Sequence, residues 1–163
     1  DWVPFRRVVA ATPAFVMVGH PHLAAVDTEA RPASTSSAVI DGIVRKDLGF
    51  GGVVVTDDLA MGAIRRRKGG MPRAAVDAMV AGADLVLLGL DGDQIYAVLY
   101  AMLEAEKSGE IPADKLKSSD ARLRKAAEMP EPVFAVPPPP VRAPRSAGTG
   151  ALDARPARTV RQQ

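Results

Sequence analysis

The stretch of sequence that decides the fold runs from Ile43 to Met61 and reads IVRKDLGFGGVVVTDDLAM. Its first residues complete a helical spacing of apolar side chains over residues 39–48, and Gly49 ends that helix. The consecutive valines of residues 53–55 follow without a polar residue between them. An apolar run of this kind is typical of a strand buried on both faces, as in a parallel sheet.

The same alternation continues on both sides of this stretch. Apolar runs predict further strands at residues 14–19 and 85–88. Helical spacing predicts helices over residues 3–11, from Pro72 to Gly82, over residues 95–103 and from Pro112 onward, and Ser36 or Ser37 is expected to cap the helix at 39–48. Strands that alternate with helices indicate right-handed βαβ units in a parallel α/β architecture.

Composition separates a folded body from a tail. The chain has 163 residues and a net charge of +2, and eight of its 14 prolines fall within residues 130–163. That segment holds five Arg against two acids, which leaves residues 1–129 with a net charge of −1. We therefore predict one domain at residues 1–129 and a Pro/Arg-rich disordered tail at 130–163. The folded part is not basic and aromatic residues are few, so no nucleic-acid partner is predicted.

Several other classes of site are excluded or disfavoured by residue type. The chain has no cysteine, which excludes disulfide scaffolds, cysteine-based zinc sites and thiol nucleophiles. His20 and His22 have no third ligand at a recognisable spacing, and Asp91 and Asp93 fit a turn that caps the next helix better than a cation loop. No metal site is therefore predicted. No apolar run approaches the roughly 18 residues of a membrane span.

Asp57 and Asp58 stand at the end of the valine strand. In parallel α/β folds the carboxyl ends of the strands carry the functional groups. Adjacent strand residues point to opposite faces, so these two acids are not expected to act as one pair. One carboxylate would face a site, while the other would bind to backbone or to a basic neighbour. The residues alone leave a catalytic role and a helix-capping role both open.

The stretch at residues 43–61 closely resembles the nucleophile signature of glycoside hydrolase family 3. In that family a helix end, a Leu-Gly-Phe-x-Gly turn and an apolar strand lead to Ser/Thr-Asp, and the aspartate is the catalytic nucleophile. The resemblance implies this role for Asp57. It covers about residues 2–126, because further family-like segments occur in the family's order: Trp2 to Arg7, Val16 to His20, Arg31 to Ser34, Ala81 to Asp84, and Gly109 to Pro112.

The residues after the nucleophile point to one branch of the family. Asp58 and Leu59, followed by Met61, are similar to the β-N-acetylhexosaminidase branch, whereas the family's β-glucosidases usually place Trp after the nucleophile. The resemblance also implies that His20, Asp58 and Met61 line the substrate site. It implies a retaining reaction that removes terminal β-linked N-acetylglucosamine from peptidoglycan fragments or related glycans through a covalent glycosyl-enzyme.

The family's N-terminal catalytic domain is a (β/α)8 TIM-type barrel. The resemblance thus implies an α/β fold that is a partial barrel made of its last three βα units. A complete barrel takes about 250 residues, and residues 1–129 supply about half of one. We expect the C-terminal half of the barrel, with an unpaired sheet edge and an uncovered apolar inner face.

The second catalytic group is not found in the sequence. Hexosaminidases of this branch use a His–Asp pair on a loop after a Lys-His-Phe-Pro-Gly-His-Gly-like segment, which these 163 residues lack. No acid/base residue is therefore assigned, and the chain is expected to be a fragment with little or no activity of its own. Two protein groups and water suffice for the reaction, so no cofactor is implied.

Two alternatives to this function remain open. One is a β-glucosidase of the same family, and the other is a non-catalytic barrel fragment that acts as a binding or assembly partner. A carbohydrate is the expected ligand. Cytoplasmic or secreted location depends on sequence that precedes Asp1, and the oligomeric state is not predicted.

Overall fold

The computed structural model describes residues 2–11, 14–89 and 94–129. Its helices and strands follow the predicted order with one unpredicted short helix, α3. Their bounds are α1 Val3–Ala11, β1 Val16–Val18, α2 Ala38–Asp47, β2 Val54–Asp58, α3 Gly62–Arg65, α4 Gly70–Ala81, β3 Leu85–Leu87, α5 Ile95–Lys107 and α6 Ala113–Ala127. A 3₁₀ turn, Ala33–Thr35, precedes α2. The predictions for Asp91, Asp93 and the tail lie outside the described residues.

The three strands form one parallel sheet in the order β1-β2-β3. Val16 pairs with Val54 and Val18 with Thr56. Between β2 and β3 the register shifts after Val55, and the amide of Leu87 donates to Thr56 Oγ1 at 3.1 Å. The buried Thr56 hydroxyl thus accepts the hydrogen bond of the Leu87 amide, because the irregular pairing of β2 and β3 gives that amide no strand carbonyl.

One face of the sheet carries the apolar core. Val18 and Val54 pack there against buried side chains of α2 and α4, among them Ile40, Val44 and Ala78. A second core cluster follows β2, with Leu59, Ile64, Met71, Ala75 and Val98 buried together. The helices therefore cover the face to which alternate strand residues point.

The opposite face of the sheet is open among the described residues. Phe15 and Met17 are 51% and 56% exposed, and Leu85 and Leu87 are each 37% exposed. The prediction that the valine strand is buried on both faces is wrong for this face, because Val55 is only half-buried. We name this open sheet face by Phe15, Met17, Val55, Leu85 and Leu87. It matches the uncovered apolar face expected for three βα units.

Two helices differ in detail from the sequence expectation. Helix α2 has π-type hydrogen bonding, and its N-cap Ser37 makes no side-chain cap. Ser36 is buried and its hydroxyl donates to Asp27 instead. On α5, Val98 is buried, but Leu99 and Leu103 are about half exposed, at 49% and 52%. The apolar stripe of α5 is therefore only partly covered by the described residues.

Buried Asp84 joins the amino-terminal end of β2 to two helices. Asp84 accepts hydrogen bonds from Arg45 of α2, from Arg122 of α6 and from the amide of Val54. Burial alone would raise the pKa of Asp84, but the hydrogen bonds from Arg122 and Val54 and the charges of both arginines hold it below its usual value. This clamp fixes α2 and α6 against the start of β2.

Candidate active site

The carboxyl ends of the three strands meet at one edge of the sheet. β1 runs into Gly19 and His20, β2 ends with Asp57 and Asp58, and β3 is followed by Gly89. The parallel direction of all three strands brings these polar residues to the same edge. This edge is the candidate active site.

Asp57 presents a partly free carboxylate at this edge. Its Oδ1 accepts the amide of Asp58 at 2.8 Å, and Oδ2 has no hydrogen bond to the described residues. A Cβ placed on Gly19 would lie 3.9 Å from Oδ2, so the carboxylate faces the start of the loop after β1. Asp57 is neither fully buried nor fully exposed. A half-buried carboxylate with one free oxygen is suited to attack an electrophilic carbon.

The carboxylate of Asp58 accepts hydrogen bonds from two backbone amides, whereas the carboxylate of Asp57 is partly free. Its Oδ1 accepts the amide of Ala60 at 2.9 Å and the amide of Gly89 at 3.0 Å. These two amide bonds, that from Gly89 foremost, hold the pKa of the Asp58 carboxyl below its usual value. A Cβ on Gly89 would lie only 2.8 Å from Asp58 Oδ2, so this approach requires glycine. Asp58 therefore ties the end of β2 to the end of β3.

His20 ties the end of β2 to the loop after β1. Its Nε2 lies 3.0 Å from the backbone carbonyl of Asp58, and its Nδ1 lies 2.7 Å from Ser34 Oγ. A carbonyl only accepts, so Nε2 carries the proton. In the neutral ring Nδ1 then accepts the hydroxyl proton of Ser34. His20 thus contacts Asp58 directly, and both of its ring nitrogens are engaged.

The loop after β1, residues 19–35, is organised around buried Asp27. The Asp27 carboxylate accepts from the hydroxyl of Ser36, from the amide of Glu29 and from Nε of Arg31. These bonds, with that from Ser36 the largest contributor, lower the pKa of Asp27 despite its burial. The carbonyl of Asp27 also accepts a 2.9 Å hydrogen bond from His22.

Sequence reasoning missed the contributions of Asp27, Ser34 and Gly89. Asp27 lies two residues before Glu29, the spacing of an Asx-turn, which was the one local signal available. Ser34 and Gly89 gave no local signal, because their partners lie 14 and 31 residues away.

The remaining predicted site residue, Met61, lies in the turn after β2. Its amide donates to the carbonyl of Asp58 at 3.0 Å, and its side chain is 47% exposed. The structure therefore brings His20, Asp57 and Asp58 to one edge and leaves Met61 at the rim. Within the described ranges, no group of three or more His, Asp or Glu side chains could hold a metal ion.

Comparison with known proteins shows the family of this chain. The model of the glycosyl hydrolase family 3 N-terminal domain matches residues 1–126. The chain belongs to glycosyl hydrolase family 3. The resemblance carried by residues 43–61 is thereby confirmed. No helix in the described part of this family 3 chain is long and apolar enough to cross a membrane.

Named relatives of this family 3 chain are β-hexosaminidases. It is 33% identical over 128 residues to the β-hexosaminidase LpqI of Mycobacterium tuberculosis, an alignment that covers 76% of this chain and 32% of that protein. It is 39% identical over 99 residues to a β-hexosaminidase of Alkalilimnicola ehrlichii, which covers 61% of this chain and 28% of the relative. The chain thus spans about a third of the length of these relatives.

Solved structures agree in fold. A family 3 β-N-acetylglucosaminidase from a Paenibacillus species superposes with a TM-score of 0.72 at 41% identity, over 76% of this chain and 23% of that one. LpqI of M. tuberculosis superposes with a TM-score of 0.66 at 34% identity, over 80% of this chain and 38% of that one. These names support the hexosaminidase branch of the family.

Proposed function

We propose that this chain carries the nucleophile of a retaining glycoside hydrolase that removes terminal β-linked N-acetylglucosamine. The observation that carries the proposal is Asp57, which follows Thr56 at the carboxyl edge of the sheet with Oδ2 free of hydrogen bonds to the described residues. The names of the relatives support N-acetylglucosamine as the sugar. Peptidoglycan fragments or related glycans are the substrates that the family resemblance favours.

In the proposed reaction Asp57 Oδ2 attacks the anomeric carbon of the sugar. The bond from that carbon to the leaving oxygen breaks, the leaving oxygen takes a proton from a general acid, and water later hydrolyses the glycosyl-aspartate ester. Asp58 does not take part in bond making, because its carboxylate is held by the backbone amides of Ala60 and Gly89. Its role, with that of His20, is to hold the backbone beside Asp57.

The fold forms part of the same proposal. We infer that residues 1–129 are the last three βα units of a (β/α)8 barrel and that the tail at 130–163 is a separate segment. The parallel order β1-β2-β3 and the helices packed on a single face support this inference. The open sheet face would then be the inner face of the barrel.

The general acid is proposed to lie outside these 163 residues. The sequence lacks the Lys-His-Phe-Pro-Gly-His-Gly-like segment that precedes the acid/base loop in the family's hexosaminidases. A substrate whose leaving group needs no protonation should therefore react best. An added nucleophile such as azide should also speed turnover of the glycosyl-enzyme, because the group that would activate water is proposed to lie outside these residues.

The test uses dinitrophenyl N-acetyl-β-glucosaminide, whose leaving group departs without an acid. We expect slow dinitrophenol release by the 163-residue chain, acceleration by azide, and a β-configured glycosyl azide product. Asp57→Asn should abolish release, whereas the matched variant Asp47→Asn, at an exposed position of α2, should keep it. Equal release by the Asp57→Asn variant would contradict the assignment of the nucleophile.

Two further outcomes separate the alternatives. Faster release from the corresponding aryl β-glucoside would favour a β-glucosidase of the same family. No release from either substrate, with or without azide, would favour the non-catalytic binding or assembly function for this chain.

A further inference from the structure

A run of four cations follows the candidate nucleophile. Arg65, Arg66, Arg67 and Lys68 are consecutive and all exposed. Arg65 is the last residue of α3 and the other three lie in the turn between α3 and α4, which follows the carboxyl end of β2 in the chain. We call residues 65–68 the basic loop. It carries a charge of +4, whereas residues 1–129 as a whole carry −1.

The cations of the basic loop are not neutralised by neighbouring acids. Among the described residues, seven other cations form salt bridges: Arg31, Arg45, Arg73, Lys107, Lys115, Arg122 and Arg124. None of the four residues of the basic loop pairs with a carboxylate of the described ranges. Adjacent unpaired charges of one sign create a local field that favours an anionic ligand.

The basic loop begins three residues after Gly62, which follows the turn at the candidate active site. The amide of Met61 donates to the carbonyl of Asp58 in a tight turn, so the Cα atoms of Asp57 and Gly62 are within about 15 Å of each other. The guanidinium of Arg66 folds over Gly62, because a Cβ placed there would lie within 3.3 Å of its Cζ and both terminal nitrogens. Arg66 is therefore held near the rim of the site.

The basic loop is anchored to the loop after β1. Arg67 donates to the carbonyl of Ala30 at 3.2 Å, and Ala30 has a positive φ of 54°. A cleft of about 230 Å³ lies beside this link. Arg67 and Lys68 line it together with Arg73 and Asp77, which are paired with each other. This volume is smaller than the roughly 300 Å³ or more of typical small-molecule sites, so the cleft suits one charged group rather than a whole saccharide.

We propose that the basic loop binds a carboxylate or phosphate group of the saccharide, which gives the chain a preference for acidic over neutral glycans. The inference rests on the proposed function for its choice of a saccharide ligand. Arginine supplies three of the four cations, and its planar guanidinium matches both carboxylate and phosphate in a bidentate manner. The loop would then act on specificity, while Asp57 acts on the bond that breaks.

The test measures binding by nuclear magnetic resonance on the ¹⁵N-labelled 163-residue chain. Three matched sugars are titrated: neutral N-acetylglucosamine, N-acetylmuramic acid with its carboxylate, and N-acetylglucosamine 6-phosphate. We expect the acidic sugars to shift the amide and arginine Nε–H signals of residues 61–68 with a Kd about tenfold lower than the neutral sugar. The two acidic sugars show which anion is preferred.

A triple variant and a matched control locate the binding. Arg65→Gln, Arg66→Gln and Lys68→Gln together should abolish the preference, while Arg67 is kept because it anchors the loop. The control Arg6→Gln, Arg7→Gln and Lys46→Gln removes the same charges from exposed positions on α1 and α2 and should bind as the parent does. Raising ionic strength from about 0.01 M to about 1 M should weaken binding of the acidic sugars.

Several results would overturn the proposal. They are equal shifts from the neutral sugar, unchanged binding in the triple variant, shifts confined to other residues, or the same binding by free acetate or inorganic phosphate. Tighter loop-dependent binding of a single-stranded oligonucleotide would also overturn it. These results are independent of hydrolysis, so failure of the Asp57 experiment and failure of this one are distinguishable.

Discussion

Nε2 of His20 donates a 3.0 Å hydrogen bond to the backbone carbonyl of Asp58, 38 residues further along the chain. The other ring nitrogen lies 2.7 Å from Ser34 Oγ. One side chain therefore connects the loop after β1 to the residue that follows Asp57. This connection holds the backbone directly after Asp57.

We predict that His20→Ala destabilises the fold by about 1–3 kcal/mol, because it removes one of the two hydrogen bonds to the Asp58 carbonyl and the ring partner of the Ser34 hydroxyl. Urea unfolding measures the change. His22→Ala is the matched control, since exposed His22 makes one hydrogen bond, to the carbonyl of Asp27. An equal loss of stability in the two variants would contradict the connecting role of His20.

Gly89→Ala should disturb the candidate site from the β3 side. A Cβ at this position would lie 2.8 Å from Asp58 Oδ2, so the Asp58 carboxylate must shift, which weakens the hydrogen bond from the amide of Gly89. We expect a loss of about 1–3 kcal/mol in the free energy of unfolding. Gly51→Ala is the control, because a Cβ there meets nothing within 4 Å. A Gly89→Ala variant as stable as the control would show that the close contact between residue 89 and the Asp58 carboxylate does not contribute to stability.

Stability should fall in acid, and Asp84 should account for part of the fall. The pKa of Asp84 is lower in the folded chain than its ordinary value of 3.8, so its stabilising contribution is present above about pH 4. It is lost as pH falls through the folded-state pKa. Asp58 and Asp27, whose pKa values are also lowered, act in the same direction.

The variant Asp84→Asn tests the contribution of Asp84 to the acid dependence of stability. At neutral pH it should cost about 3 kcal/mol, because Arg45 and Arg122 lose their shared carboxylate. Its free energy of unfolding should also depend less steeply on pH below about 4 than that of the parent. Asp120→Asn breaks an exposed ion pair with Arg124. It should change little in the free energy of unfolding at neutral pH or in its dependence on pH. An unchanged acid dependence in Asp84→Asn would refute the contribution of Asp84.

The open sheet face should limit solubility. Its side chains include Met17, 56% exposed on the edge strand β1, and exposed apolar surface at a sheet edge favours association. Met17→Lys should lower the average mass seen by sedimentation at high protein concentration without loss of stability. Ala121→Lys adds the same charge at an exposed position of α6 and should leave the mass unchanged. Equal masses for both variants would argue against this face as the cause.

The local sequence was sufficient to predict the three strands and every helix except the four-residue α3, whereas the nucleophile role of Asp57 came from the resemblance of residues 43–61 to a family signature. Three valines, the glycines around them and the helical spacing of apolar residues are local signals, because they act through backbone preference and side-chain periodicity. The same local pattern predicts a carboxylate at the end of a strand, because Asp57 directly follows the apolar run and Thr56.

Tertiary structure decided which polar groups meet. The amide of Gly89 reaches Asp58 across 31 residues, and His20 reaches Asp58 across 38. The sequence also predicted burial of the valine strand on both faces, whereas the structure leaves Val55 half-buried. Strand burial depends on which faces the helices cover, and contacts between distant residues depend on how the strands pair. Both are properties of the folded chain that no local pattern encodes.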